Sequence, residues 1–194
     1  MKTNKWVYLI MLASVVWAAC EDDDDNADKK SLNDTDEQFV EKVAMSNMAE
    51  IQLGQIAVTK ASDSLVRSFA QDMIDDHTQA QDELEDIADD FSGVDWPSDL
   101  NDDHQAVMDQ LDSTSAGYSF DSLYIQTQIT MHQDAKTTLS NATTQTTQAR
   151  LKSYAAKYLP VIEEHLAMAD SLEIQLNDST MSNDTTSNAS SRHY

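Results

Sequence analysis

The chain has 194 residues, with 35 acidic against 12 basic side chains and a formal net charge of −23. That charge repels polyanions, so nucleic acid and bare anionic lipid are excluded as partners. One cysteine rules out an internal disulfide, and only three glycines and two prolines favour long helices over sheets and turns.

At the N-terminus, Lys2 and Lys5 precede an uncharged run of 14 residues, Trp6 to Ala19. Spanning a bilayer takes about 20 residues, so the run reads instead as a cleavable signal peptide over 1–19, ending in small residues. Cys20 follows Ala18-Ala19 directly and resembles the bacterial lipobox, in which the cysteine is lipidated and becomes the mature N-terminus. Trp17 stands where that motif usually has Leu or Val. The alternative is an ordinary secreted chain with one free thiol, a liability in an oxidising compartment. Glu21 to Asp25 is an unbroken acidic run, which self-repulsion keeps extended. It is similar to the surface-export signal of Bacteroidetes lipoproteins, and it also reads as a plain spacer between bilayer and domain. These resemblances imply an outer-membrane lipoprotein, on its periplasmic or cell-surface face, whose membrane partner is reached through Cys20. Signal removal would leave 10 basic against 35 acidic residues.

Residues 20–34 form the anchor and an acidic linker, and residues 177–194 lack apolar periodicity and read as a disordered tail. Between them the spacing predicts four long helices. The first covers about 35–60, with Thr35 and Gln38 as a capping box and Phe39, Val43, Leu53 and Ala57 on one stripe. The second covers about 62–90, carries Val66, Phe69, Met73, Ala80, Leu84 and Ile87 inward, and is capped from Ser62-Asp63-Ser64. A long connection holds Trp96-Pro97 and a short helix near 99–111. The third long helix covers about 119–142, with Ile125, Ile129, Ala135 and Leu139 inward. The fourth covers about 148–176 with Leu151, Ala155, Tyr158, Ile162, Ala169 and Leu172, and Pro160 inside it should bend it.

Two helices, a long connection and two more helices predict an all-α, ferritin-like four-helix bundle over 35–176, its single crossover carrying the short extra helix. A crossover of full length would start the third long helix at the same end as the second.

Each stripe is broken once by a residue that binds protons or metals: Glu50, His77, His132 and His165. Under the crossover topology their depths from the shared end spread over roughly 15 to 23 Å, so all four fit one zone of the core. An up-down bundle would separate His132 from His165 by roughly 12 Å. A glutamate and three imidazoles around one point suit zinc, iron or copper. Met73 and Met168 are auxiliary soft donors for copper, although methionine also fills core gaps. Taken one at a time, a histidine on a helix stripe is more often a satisfied core or boundary residue than a ligand. The familiar di-iron pattern, with Glu-x-x-His on two helices, does not match, because Ile74, Ile129 and Ile162 stand three residues before the histidines. His104 and His193 read as solvent-exposed, and the acidic pairs of the second helix read as a solvated face. There is no phosphate loop, nucleophile elbow or paired-cysteine motif.

The segments Phe39-Val40-Glu41-Lys42-Val43-Ala44 and Met48 to Gly54 resemble the first helix of the bacterial family called domain of unknown function 4142. Phe69 to Thr78 is similar to its second-helix motif, and Met131-His132-Gln133-Asp134 and Leu159-Pro160 through His165 to Ala169 resemble its third and fourth helices. The resemblance covers about 36–176. It implies a ferritin-like bundle exported to the envelope, and it implies no activity. The preferred expectation is a lipid-anchored envelope protein with a non-enzymatic binding or structural role and no required cofactor. The alternative is a transition-metal-binding protein serving metal handling or oxidative-stress protection.

Overall fold

The structure, a computed structural model, describes residues 29–190, with side chains through 179. The expected signal peptide, Cys20, the acidic run and His193 lie outside the described residues.

The described chain is all-helical: α1 (Asp34–Lys60), α2 (Ser64–Ala88), α3 (Asp102–Ser113), α4 (Tyr118–Gln145) and α5 (Ala149–Ser190). No helix among the described residues is long and apolar enough to cross a membrane. Ahead of α1, Leu32 packs into the core and Ser31 forms an isolated bridge with Ser92, so the segment read as linker is fastened at its end.

The caps differ in detail from the expected ones. Asn33, not Thr35, opens α1, its side-chain oxygen accepting from the amides of Thr35 and Asp36. Asp63 does the same for α2, accepting from Leu65 and Val66. Each such cap contributes about 1 kcal/mol. Before α4 stands Gly117 at φ 122°, a backbone conformation that side chains disfavour. At the other end, α5 passes through Pro160 and continues beyond Leu176 to Ser190, where an irregular tail was expected. Leu176 is still buried, and neither glycine nor proline follows Pro160 to stop the helix.

Two buried aspartates reveal the topology. Asp121, in the first turn of α4, accepts from the backbone amides of Ser62 and Asp63, both at 2.9 Å, in the α1–α2 turn. Asp36, in the first turn of α1, accepts from the amide and hydroxyl of Thr147 in the α4–α5 turn, at 3.1 and 2.5 Å. Hence α4 starts beside the α1–α2 turn and ends beside the start of α1. It runs parallel to α2, and the connection carrying α3 travels the length of the molecule. The crossover expected from the sequence is the one the chain adopts.

Close approach within the first hairpin depends on Gly54. A Cβ there would lie 2.8 Å from Ile74 Cγ1 and 3.0 Å from the Ala70 carbonyl.

The core divides into two apolar clusters. One holds Phe39, Val43, Leu84, Leu139, Tyr154 and Ile162, toward the α4–α5 turn. The other holds Leu53, Phe69, Met73, Phe120, Tyr124 and Leu172, toward the α1–α2 turn. Burying one such side chain stabilises by about 1.5–3 kcal/mol. Of the expected inward residues, Ile129 and Ala135 are only half-buried, while Tyr124 and Phe120 are fully buried. Between the clusters lies a layer of buried polar residues: Asn47, Glu50, His77, Gln128, His132 and His165.

Candidate metal centre

The layer places His77, His132 and His165 on three different helices, α2, α4 and α5, with one nitrogen from each within 4.8 Å of the others. Their rings pack with centroids 5.3 to 5.7 Å apart. All three residues are buried. Each interrupts an apolar stripe because the positions before and after it, such as Met73 and Ala80 around His77, are packed in one cluster or the other. The imidazole is thereby held at the joint between clusters.

The partners of the remaining ring nitrogens fix where the lone pairs lie. His77 Nδ1 is 3.0 Å from Asn47 Oδ1, while the amide nitrogen of Asn47 donates to the Tyr154 hydroxyl at 3.3 Å. With that amide orientation Oδ1 only accepts, so Nδ1 carries the proton and Nε2 the lone pair. Nε2 has no hydrogen-bond partner among the described residues. His132 Nδ1 lies 2.9 Å from the Gln128 carbonyl, which also only accepts, so its lone pair too is on Nε2. His165 Nε2 is 2.9 Å from the Asp76 carboxylate, which leaves the lone pair on Nδ1.

The lone-pair nitrogens of His132 and His165 therefore face each other, and one nitrogen of His77 lies within 4.8 Å of the group. His132 Nε2 and His165 Nδ1 are 3.3 Å apart. Two metal–nitrogen bonds of about 2.0–2.1 Å at a tetrahedral angle span about the same distance. Acceptors behind each ring hold its tautomer and orientation, as they do around histidines that ligate metals.

Glu50 does not join the three. Its carboxyl lies 3.5 Å from His132 Nδ1, the nitrogen turned away from the centre, and it accepts from Gln128 Nε2 at 2.7 Å. Burial pushes the Glu50 carboxyl up to about 8, with the Gln128 bond opposing the shift. Burial, reinforced by the neighbouring His165, lowers His132 to about 4. At neutral pH the Glu50–His132 contact is thus one between uncharged groups, despite its ion-pair spacing. Burial, then His132 and His165, hold His77 well below the usual imidazole range. Neutral imidazoles are what a metal requires.

Met73 belongs to the cluster on the α1–α2 side of the layer and is fully buried, and Met168, partly buried, packs against that cluster. His104, expected to be solvent-exposed, is half-buried and lines a cavity beside the layer; burial lowers its pKa. Three supporting residues escaped the sequence reading. Asn47 and Gln128 looked like ordinary polar positions, although each sits on its helix's inward stripe. Asp76 was absorbed into the acidic face of the second helix, and only its adjacency to His77 marked it.

The family model described as Domain of unknown function (DUF4142) matches residues 22–172 of the chain. No curated protein matches it. Among solved structures, the DUF305 fragment of Deinococcus radiodurans is similar in fold, with a TM-score of 0.66 at 14% identity, covering 75% of this chain and 99% of that one. A DUF305 protein of Streptomyces coelicolor, inferred to be secreted, gives a TM-score of 0.62 at 17% identity, covering 74% of this chain and 94% of that one.

Proposed function

The chain belongs to the DUF4142 family, and from that premise we propose that it is an exported protein that binds a first-row transition metal at His77, His132 and His165. The observation that carries this reading is the convergence of one nitrogen from each of three buried histidines, with the lone-pair nitrogens of His132 and His165 3.3 Å apart. Unprotonated nitrogens at that spacing repel, and a cation between them converts the repulsion into coordination. An all-imidazole donor set suits zinc or copper better than the carboxylate-rich surroundings that iron usually takes in helical bundles. The helix order and the crossover support a ferritin-like bundle, with the metal between its two hairpins as such bundles commonly hold it.

The site serves metal handling in the envelope. Signal-like residues 1–19, the lipobox-like Cys20 and the acidic run after it support an outer-membrane lipoprotein of Bacteroidetes type. A fold neighbour inferred to be secreted agrees with export. Lipidation supplies the membrane affinity, so Cys20→Ser should move the protein from the membrane to the soluble fraction or leave it unprocessed. Unchanged fractionation of that variant overturns the anchor.

The metal itself is tested by elemental analysis of protein purified without a polyhistidine tag. Close to one zinc or copper per chain is expected in the wild type, and none in His132→Ala. Equal metal content in both proteins contradicts the assignment.

A further inference from the structure

A cavity of about 160 Å³ adjoins the histidine layer on the side of the α4–α5 turn. Its wall includes His77 and His165 themselves, and beyond them Val43, Ala80, Leu139 and Ile162. On all four long helices these wall residues lie on the same side of the layer. Met73 and Met168 lie on the other side, with the second cluster, and Glu50 within the layer is not in the cavity wall. Polar groups concentrate where the cavity meets the surface: Lys42 and Asp134 are exposed and His104 of α3 is half-buried.

We propose that this cavity is a ligand site: a small neutral Lewis base with an apolar, ring-sized body occupies it and completes the coordination of the metal. The proposal rests on the metal-binding reading. Three protein nitrogens leave a tetrahedral ion one position, and this cavity has two of the three histidines, His77 and His165, in its wall. Apolar cavities of about 150 Å³ accept benzene-sized molecules. A ring-sized guest therefore fits, and a much larger one does not.

The lining chooses among small ligands. Besides aliphatic side chains its wall carries the Asp76 and Asp134 carboxylates, and the Lys42 ammonium in the lining is exposed to water. A multiply charged anion such as phosphate would lose its hydration there without replacement. Among the polar side chains of the wall, Tyr154 is buried beside Asn47. The Tyr154 hydroxyl accepts from Asn47 and finds no acceptor for its own proton among the described residues. It is available to donate to a heteroatom of the guest. Tyr158 packs against the Tyr154 ring at a centroid distance of 4.6 Å and lines the same space, presenting aromatic surface to a planar guest.

The experiment uses the full-length protein loaded with cobalt(II), whose visible bands report coordination, and pyridine as the probe. Saturable band shifts are expected with pyridine, and none with inorganic phosphate. Ala80→Leu and Thr138→Phe each fill the cavity from a different helix and touch none of the three nitrogens. Either should keep the cobalt spectrum and weaken pyridine binding about tenfold or more. Circular dichroism identifies a variant that misfolds, and the other then decides. Cobalt-loaded protein that ignores pyridine, or pyridine binding undiminished in a folded cavity-filled variant, overturns the ligand site while the metal reading stands. Protein that takes up no cobalt overturns the metal reading itself.

Discussion

His132 Nε2 lies 3.3 Å from His165 Nδ1, with both opposite ring nitrogens engaged by acceptors, the Gln128 carbonyl and the Asp76 carboxylate. Two lone pairs held face to face in a buried layer are a cost to the folded chain that a proton or a metal ion removes. The first consequence concerns stability. Zinc in hundredfold excess over its dissociation constant should stabilise the wild type by about 2.7 kcal/mol. His77→Leu should abolish that response. In chelator the same substitution should cost only about 1 kcal/mol or less, because it removes an unpartnered Nε2 while leaving Asn47 Oδ1 unpaired. Thermal melts with and without metal measure both, beside His104→Leu, which should keep the zinc response.

Asp76 orients a ligand rather than binding the metal. Its carboxylate meets His165 Nε2 at 2.9 Å and is itself half-exposed. Asp76→Asn should therefore weaken zinc affinity about 10- to 100-fold and barely change the stability of the metal-free protein. Competition against a chromogenic chelator reads the affinity directly. A variant with unaltered affinity would remove Asp76 from the site.

The metal-free protein should lose stability on the alkaline side of neutrality. Glu50 is raised from 4.5 to about 8 by burial. Its contribution is fully present below 4.5 and is lost as pH rises through about 8. The lowered values of His77 and His132 act in the opposite sense: their contribution is present above 6.5 and is lost as pH falls toward the folded values. Between pH 6.5 and 8 the two histidines only finish deprotonating in the unfolded state, which offsets part of the larger loss from Glu50. Stability in chelator should fall across that window by about 1–2 kcal/mol. Denaturant midpoints at the two pH values test this, and Glu50→Gln should flatten the slope.

Asp121 holds the turn between α1 and α2 through two backbone amides while almost fully buried. Asp121→Ala leaves the Ser62 and Asp63 amides without their acceptor. The loss should be about 2–4 kcal/mol in urea denaturation. A loss below about 0.5 kcal/mol would mean that water replaces the carboxylate freely.

The helix count, the crossover and the inward histidines were legible because they rest on period and spacing. Val66, Phe69, Met73, Ala80 and Leu84 repeat at three and four, and His77 falls inside that repeat. What spacing does not carry is which nitrogen of a ring faces inward. Glu50 shares the stripe with Leu53 yet meets the outer nitrogen of His132, at 3.5 Å from Nδ1. Asp36 and Asp121 were hidden for a similar reason: an aspartate in a first helical turn looks like a cap, and only the packed turn opposite shows that it fastens another segment. The described α5 runs on past Leu176 to Ser190, since polar composition alone does not break a helix and no glycine or further proline stands between Pro160 and Ser190.

The most direct measurement is X-ray absorption at the zinc edge, on protein loaded with one equivalent and passed through a chelating resin. An acidic surface gathers zinc through oxygen, so affinity alone does not locate the ion. The spectrum should show low coordination with three imidazole nitrogens at about 2.0–2.1 Å, and the zinc should be lost from His132→Ala. A zinc shell made of oxygen alone, or one that His132→Ala leaves unchanged, would contradict a centre built by His77, His132 and His165.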